Sequence, residues 1–218
     1  MRIVAVADTH LFHGDLKVPD GDLFIHAGDM CRRGTLEELE QAVDWIRSLP
    51  HPRKLVVAGN HDWAFAEHPA QARALLDGVA TYLEDGEATI DGLRVWGSPW
   101  QPAFNDWAFN LPRGEPLAKK WSSIPGGLDV LVTHGPPAGY GDATSMGKER
   151  SGCADLLGRV RVVKPRLHLF GHIHEDGGAW TAGDTTFVNC TTWECERAPT
   201  VIEITPDAVS VSSPPSRR

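Results

Sequence analysis

A chain of 218 residues, 41% hydrophobic and 23% charged, can bury one ordinary core and is neither a disordered nor a membrane-embedded composition. Its formal charge of −8 argues against a long nucleic-acid footprint, which needs clustered Lys and Arg, and suits a carboxylate-containing site for divalent cations. Four scattered cysteines, Cys31, Cys153, Cys190 and Cys195, lack a paired zinc spacing and read as reduced thiols.

The first apolar run, residues 3–7, reaches polar residues at Asp8, which leaves no room for a signal peptide. No later run is long enough to cross a bilayer, so a cytoplasmic protein without membrane contact is expected. Short β-branched runs predict strands at 3–7, 23–27, 54–58, 93–96, 129–133, 166–170, 186–189 and 201–204. Several are too uniformly apolar for a sheet with one wet face. Leu36, Leu39, Val43 and Ile46 at helical spacing predict a helix over 35–49, with Thr35 and Glu38 as its capping box and Pro50 beyond its end. Further helices are expected over 69–78, within 117–124, and over 152–162. Strand and helix alternate in the first half, whereas turns such as Ala182-Gly183-Asp184 join strands after Gly177. That mixture predicts an α/β fold of two sheets packed face to face with helices outside. One domain over 1–211 and a disordered tail over 212–218 complete the reading.

Five of the apolar runs end in residues that bind metals. They lead to Asp8-Thr9-His10, Gly28-Asp29, Gly59-Asn60-His61-Asp62, His134-Gly135-Pro136-Pro137 and Gly171-His172-Ile173-His174. Any one of these is commonly a turn or a solvated surface. Five at the same kind of position, the strand end where loops of α/β proteins converge, point to one site. Asp, Asn and His supply oxygen and imidazole nitrogen without thiolate, which suits Mn, Fe, Zn or Co. Asp8, His10, Asp29, Asn60, His134, His172 and His174 are too many for one ion. With Asp29 as a bridge they divide into two sets of four. Two divalent ions about 4 Å apart can activate a water and grip phosphoryl oxygens for in-line displacement.

These motifs, in this order, resemble the calcineurin-like metallophosphoesterase superfamily, over about residues 2–203. Gly28-Asp29 with Arg33-Gly34-Thr35, the run from Thr133 to Pro137, the run from Phe170 to Glu175, and the run from Gly97 to Pro102 resemble the small metallophosphoesterase-domain proteins of animal brain and their bacterial relatives. The resemblance implies a four-layer αββα sandwich of two mixed sheets flanked by helices. It implies Asp8, His10 and His174 on one metal, Asn60, His134 and His172 on the other, and Asp29 between them. His61 matches the family histidine that contacts the phosphate and the leaving group, and Asp62 shapes its turn. Protein phosphatases of the superfamily carry an acidic residue where this chain has Arg32, so protein phosphatase activity is not expected and His61 lacks an identified partner. Some animal relatives replace the histidine at the position of His172 and lose activity; this chain keeps it.

His26 and His168 lie within apolar strands and read as core or supporting histidines, while His13, His51 and His68 are expected to face water. Trp100, Phe104 and Trp107 share a loop where packing onto the body is the simpler role and stacking on a nucleobase the functional one. Arg33 and Trp100 are the candidate substrate contacts. Lys148 and Arg150 could also reach a phosphate, residues 139–150 could form a lid, and Asn189 could stand at the rim. The expected activity is a manganese-favouring binuclear phosphodiesterase acting on small nucleotides such as 2′,3′- or 3′,5′-cyclic phosphates. Alternatives are a broad phosphomonoesterase, a hydrolase of cyclic phosphate RNA ends, or a catalytically silent scaffold that binds protein partners.

Overall fold

The computed structural model describes residues 1–144 and 150–212. The chain begins β1 (Arg2–Val6), β2 (Leu23–Ala27), α1 (Leu36–Ser48), β3 (Arg53–Val57), α2 (Trp63–Glu67), α3 (Pro69–Leu76) and β4 (Thr81–Tyr82). β5 (Gly86–Ile90) and β6 (Leu93–Ser98) form a hairpin, and β7 (Gln101–Pro102) pairs with β8 (Asn110–Leu111). α4 (Glu115–Trp121), β9 (Val130–Thr133), α5 (Ala154–Val163) and β10 (Leu167–Phe170) follow. The described chain closes with β11 (Gly178–Ala182), β12 (Thr185–Asn189), β13 (Thr200–Ile204) and β14 (Val209–Ser212).

The first sheet has the order β14-β13-β1-β2-β3-β4 and the second β11-β12-β10-β9-β6-β5. The centre of each sheet is parallel: β1, β2 and β3 in one, and β6, β9, β10 and β12 in the other. Antiparallel strands close β1's side of the first sheet and both edges of the second. Alternation along each strand explains the layers. Ile3, Ala5, Leu23, Ile25, Leu55 and Val57 meet Val95, Val130, Val132, Leu167 and Leu169 between the sheets. The intervening residues Val4, Val6, Phe24 and Val56 pack on α1, while Trp96, Leu131 and Phe170 pack with α4 and α5. The uniformly apolar strands are thus buried on both faces, and the architecture is the expected αββα sandwich.

The elements missed in the sequence are short or lie at edges. β5, β11 and β14 are half exposed, so their side chains carry little hydrophobic signal. The box at α1 is modified. Thr35 accepts the Glu38 N–H at 3.3 Å, but the Glu38 carboxylate takes the N–H groups of Arg32, Arg33 and Gly34. Ser212, assigned to the tail, ends β14; residues 213–218 and Lys148 lie outside the described residues. Among the described residues no helix is long and apolar enough to cross a membrane.

Candidate metal centre

The parallel strands all point their carboxyl ends at one place. The loops leaving β1, β2, β3, β9 and β10 there bring together the seven predicted ligands. Among the described residues three groups have donor atoms mutually within 4.8 Å: Asp8 with His10 and His174, His10 with Asp29 and His61, and Asp29 with His134 and His172. Asp29 Oδ2 stands 3.8 Å from His10 Nε2 and 3.4 Å from His134 Nε2, between the two sets. Asn60 Oδ1 lies 2.9 Å from His134 Nε2, and His174 Nε2 is 3.7 Å from Asp8 Oδ1.

The rings are aimed from behind. His10 Nδ1 is 2.9 Å from the Cys31 carbonyl, and His134 Nδ1 is 3.0 Å from the Ala27 carbonyl. A carbonyl only accepts, so each Nδ1 carries a proton and each Nε2 is the atom aimed at the centre. Carboxylates are fixed likewise: Asp29 Oδ1 accepts the His61 N–H at 2.8 Å, and Asp8 accepts the His172 N–H at 3.0 and 3.1 Å. Asp62, fully buried, takes the N–H groups of Asp29, Met30, Cys31 and Gly59. It ties the two loops together, a wider role than shaping its own turn.

The backbone is strained here. Asp8, His10, Asp29 and His172 all have positive φ, between 44° and 70°, a conformation that side chains other than glycine rarely take. Two glycines are required by crowding. A Cβ at Gly59 would collide with Asp29, and one at Gly171 with Ala7 and Asp8.

Electrostatics follow from the mixture of signs. Burial pushes the Asp29 carboxyl up, but the charges of His134 and His10 overcome it and hold Asp29 well below the usual carboxylate range. Asp8 is held down in the same way, by His174. His134, despite burial, is raised to about 9 by Asp29, whereas burial and the neighbouring His134 lower His172 to about 4. An array of buried carboxylate and imidazole donors in opposed pairs, with no thiolate among them, fits divalent metal ions.

His61, read as partnerless, has a partner: its Nδ1 is 2.7 Å from the backbone carbonyl of Arg32. The side chain that departs from the phosphatase pattern is therefore not needed for that bond. The ring also meets His10 edge-on at 4.7 Å and lies against Trp107, centroids 4.0 Å apart and planes tilted by 32°. The run from Gly97 to Pro102 holds the loop that carries Trp107. Ser98 and Trp100 donate to Asp85, and Gln101 donates to the Ala108 carbonyl.

A cleft of about 490 Å³ opens beside His172 and His174, walled by Phe104, Arg113, Arg150 and Trp193 among others. Phe104 is 60% exposed at its rim. Trp100 does not line it, since its N–H is committed to Asp85 and Lys120 sits 4.3 Å over its ring. Arg33 lies in a separate surface hollow with Trp63 and His68. Arg150 pairs with Asp142, and Arg113 donates to the Ser151 and Gly152 carbonyls. Sequence reasoning missed Arg113 and Trp193, which belong to no recognisable motif. Asn189 is wholly buried and donates to the Gly141 and Ile173 carbonyls, beneath the His172–His174 loop and not at the rim.

Both strand histidines support ligand loops. His26 Nε2 is 2.9 Å from Thr9 Oγ1, and its Nδ1 accepts the Gly28 N–H. His168 Nε2 is 2.9 Å from Thr133 Oγ1, whose own proton goes to the Gly135 carbonyl. Both are thus Nε2–H tautomers, and burial lowers both to about 3, which keeps them neutral. Two of the histidines expected in water are buried: His13 stacks on Trp45 at 4.5 Å, and His51 packs beside Phe24. Aromatic neighbours outside their own segments cover them. His68 is exposed as expected.

The model of the calcineurin-like phosphoesterases matches residues 1–176. This chain belongs to that family. It is 42% identical over 212 residues to the human metallophosphoesterase domain-containing protein 1, covering 86% of this chain and 65% of that protein. The chain therefore spans somewhat under two thirds of that relative's length. A probable cyclic nucleotide phosphodiesterase of Synechococcus is 28% identical over 186 residues, covering 81% of this chain and 67% of that one. The crystal structure of the Thermus thermophilus protein TT1561 superposes with a TM-score of 0.66 at 12% identity, covering 97% of this chain and 98% of that one. It shares the fold.

Proposed function

We propose that this chain is a binuclear, metal-dependent phosphodiesterase acting on small nucleotides, with 2′,3′- and 3′,5′-cyclic phosphates as the best fit. The observation that carries the reading is the pair of donor sets sharing Asp29 at the end of a cleft with aromatic and cationic walls. Asp8, His10 and His174 would hold one ion, Asn60, His134 and His172 the other, and Asp29 both. Two such ions, of which Mn²⁺ suits this donor set best, supply Lewis acidity toward phosphoryl oxygens and an activated water.

The protein's part is orientation and proton handling. The Arg32 carbonyl fixes the Nδ1–H of His61, and His10 and Trp107 confine its ring. Its Nε2 then serves as the site where a leaving alkoxide finds a proton or a hydrogen bond. The cleft volume lies within the range of small-ligand sites, about 300–1,000 Å³. The name of the Synechococcus relative supports a cyclic nucleotide as substrate. Arg113 and Arg150 favour a second reading, a phosphomonoesterase, because a dianion needs more positive charge than a diester does.

The test is a panel of cyclic nucleotides, bis-nitrophenyl phosphate and nitrophenyl phosphate, run on chelated protein resupplied with single metals. Chelation should abolish turnover, Mn²⁺ should restore it best, and diesters should show the higher kcat/KM. Full activity in metal-free protein would refute the metal reading. A kcat/KM tenfold higher for the monoester would overturn the diesterase assignment alone.

A further inference from the structure

The segment after β12 crosses from the second sheet to the first and contains Trp193 (φ 47°), Glu194 (φ 55°) and Cys195 (φ 66°), three consecutive non-glycine residues in the left-handed region. In that conformation each Cβ crowds its own carbonyl, so such residues occur singly unless the surroundings impose them. Here the imposition is visible. Thr192 donates both its N–H and its hydroxyl to the Ala7 carbonyl, at 2.9 and 2.8 Å, and Glu194 N–H donates to the Asp8 carbonyl at 2.9 Å. Arg197 N–H closes the turn on the Thr192 carbonyl. The segment is thereby fastened to the end of β1, which carries the first ligands.

The arrangement places the Trp193 indole in the cleft wall next to His172 and His174, with its ring 6.4 Å from that of His174. Behind it, the Arg197 guanidinium lies 5.0 Å from the ring centre. Arg197 is only 8% exposed, and its Nη1 has no hydrogen-bond partner, so that cation is buried against the indole face. Trp193 is thus a braced aromatic plate beside the reacting centre, and Phe104 stands on the same cleft. Of the three loop aromatics considered from sequence, Trp100 and Trp107 are committed elsewhere, to Asp85 and to His61.

We propose that Trp193 is the stacking platform for the substrate's nucleobase and sets a preference for purines, whose larger rings cover more of the indole. This rests on the nucleotide phosphodiesterase reading above. Stacking of a base on an aromatic side chain is worth roughly five- to a hundredfold in affinity and tolerates any base, so it acts on KM.

The experiment compares 3′,5′-cyclic AMP, 3′,5′-cyclic CMP and a base-free methyl riboside 3′,5′-cyclic phosphate, using wild type, Trp193→Ala and Trp193→Phe, each loaded with the metal that gives wild-type activity. Trp193→Ala should raise KM for cyclic AMP at least tenfold more than for the base-free substrate and should erase the purine preference. Trp193→Phe should recover most of that difference. An equal change on cyclic AMP and the base-free compound, in both variants, would mean that the indole only shapes the loop, and would overturn the proposal. Wild type that cleaves bis-nitrophenyl phosphate but neither nucleotide would instead remove the nucleotide reading and this inference with it.

Discussion

The two sheets furnish the centre by different means. The first gives Asp8, His10, Asp29 and Asn60, a mixture of carboxylate, amide and imidazole, and behind them stands a buried anion, Asp62, which gathers four backbone N–H groups. The second gives three histidines and no acid, and its local anchor is a neutral amide, Asn189. Each sheet repeats one device, a neutral strand histidine bonded to a threonine beside a ligand: His26 with Thr9, and His168 with Thr133. Beyond that the two sheets support each other. The Asp8 carboxylate accepts the His172 N–H, the Ala27 carbonyl accepts from His134 Nδ1, and the Cys190 carbonyl accepts the Ala7 N–H. Asp29, from the first sheet, is the carboxylate between both donor sets, so its loss should disable both halves of the centre, whereas loss of His134 or His174 from the second sheet should disable one.

The severest break is Asp29→Ala. It removes the one carboxylate placed between both donor sets, so metal content by elemental analysis should fall at both sites, and turnover should drop below detection. Retention of two metals per chain would show that the first sheet is not the shared support. His61→Ala comes next. It leaves the donor sets intact, so metals and fold should persist while the rate falls by about 10²–10⁴-fold, the usual scale of general acid–base help. The loss should be smaller for nitrophenolate, which departs without a proton, than for an alkoxide. Equal losses would make His61 a stabiliser of phosphoryl charge. The mildest comparison sets the two anchors against each other in urea unfolding. Asp62→Ala leaves four buried N–H groups unsatisfied and should cost about 3–5 kcal/mol, whereas Asn189→Ala should cost about 1–3 kcal/mol. Equal costs would erase the asymmetry.

The seven ligand candidates were legible in the sequence because they sit where apolar β-branched runs stop, and strand ends of parallel sheets converge. The two-sheet architecture was legible because runs such as Ile3–Ala7 alternate between two buried faces, leaving no polar residue to mark an outside. What stayed hidden was whatever depends on backbone atoms or on distant neighbours. A carbonyl has no letter of its own, so the partners of His10, His61 and His134 were invisible. Trp193 was missed because its place follows from a left-handed turn that composition does not announce, and His13 and His51 because Trp45 and Phe24 cover them from other segments. Trp100 illustrates the converse error. A tryptophan in a proline-containing loop near the motifs invites a ligand, yet its N–H answers to Asp85.

The bond from His61 to Arg32 has an evolutionary consequence. The oxygen that orients the ring belongs to the main chain, and every amino acid supplies one. Position 32 is thereby released from the chemistry and open to drift, and in this chain its side chain lies instead across the face of Phe12, 4.0 Å from the ring centre. A lineage can exchange the acid found there in protein phosphatases for a cation without losing the histidine's aim, because the constraint has moved from the identity of a residue to the path of the loop.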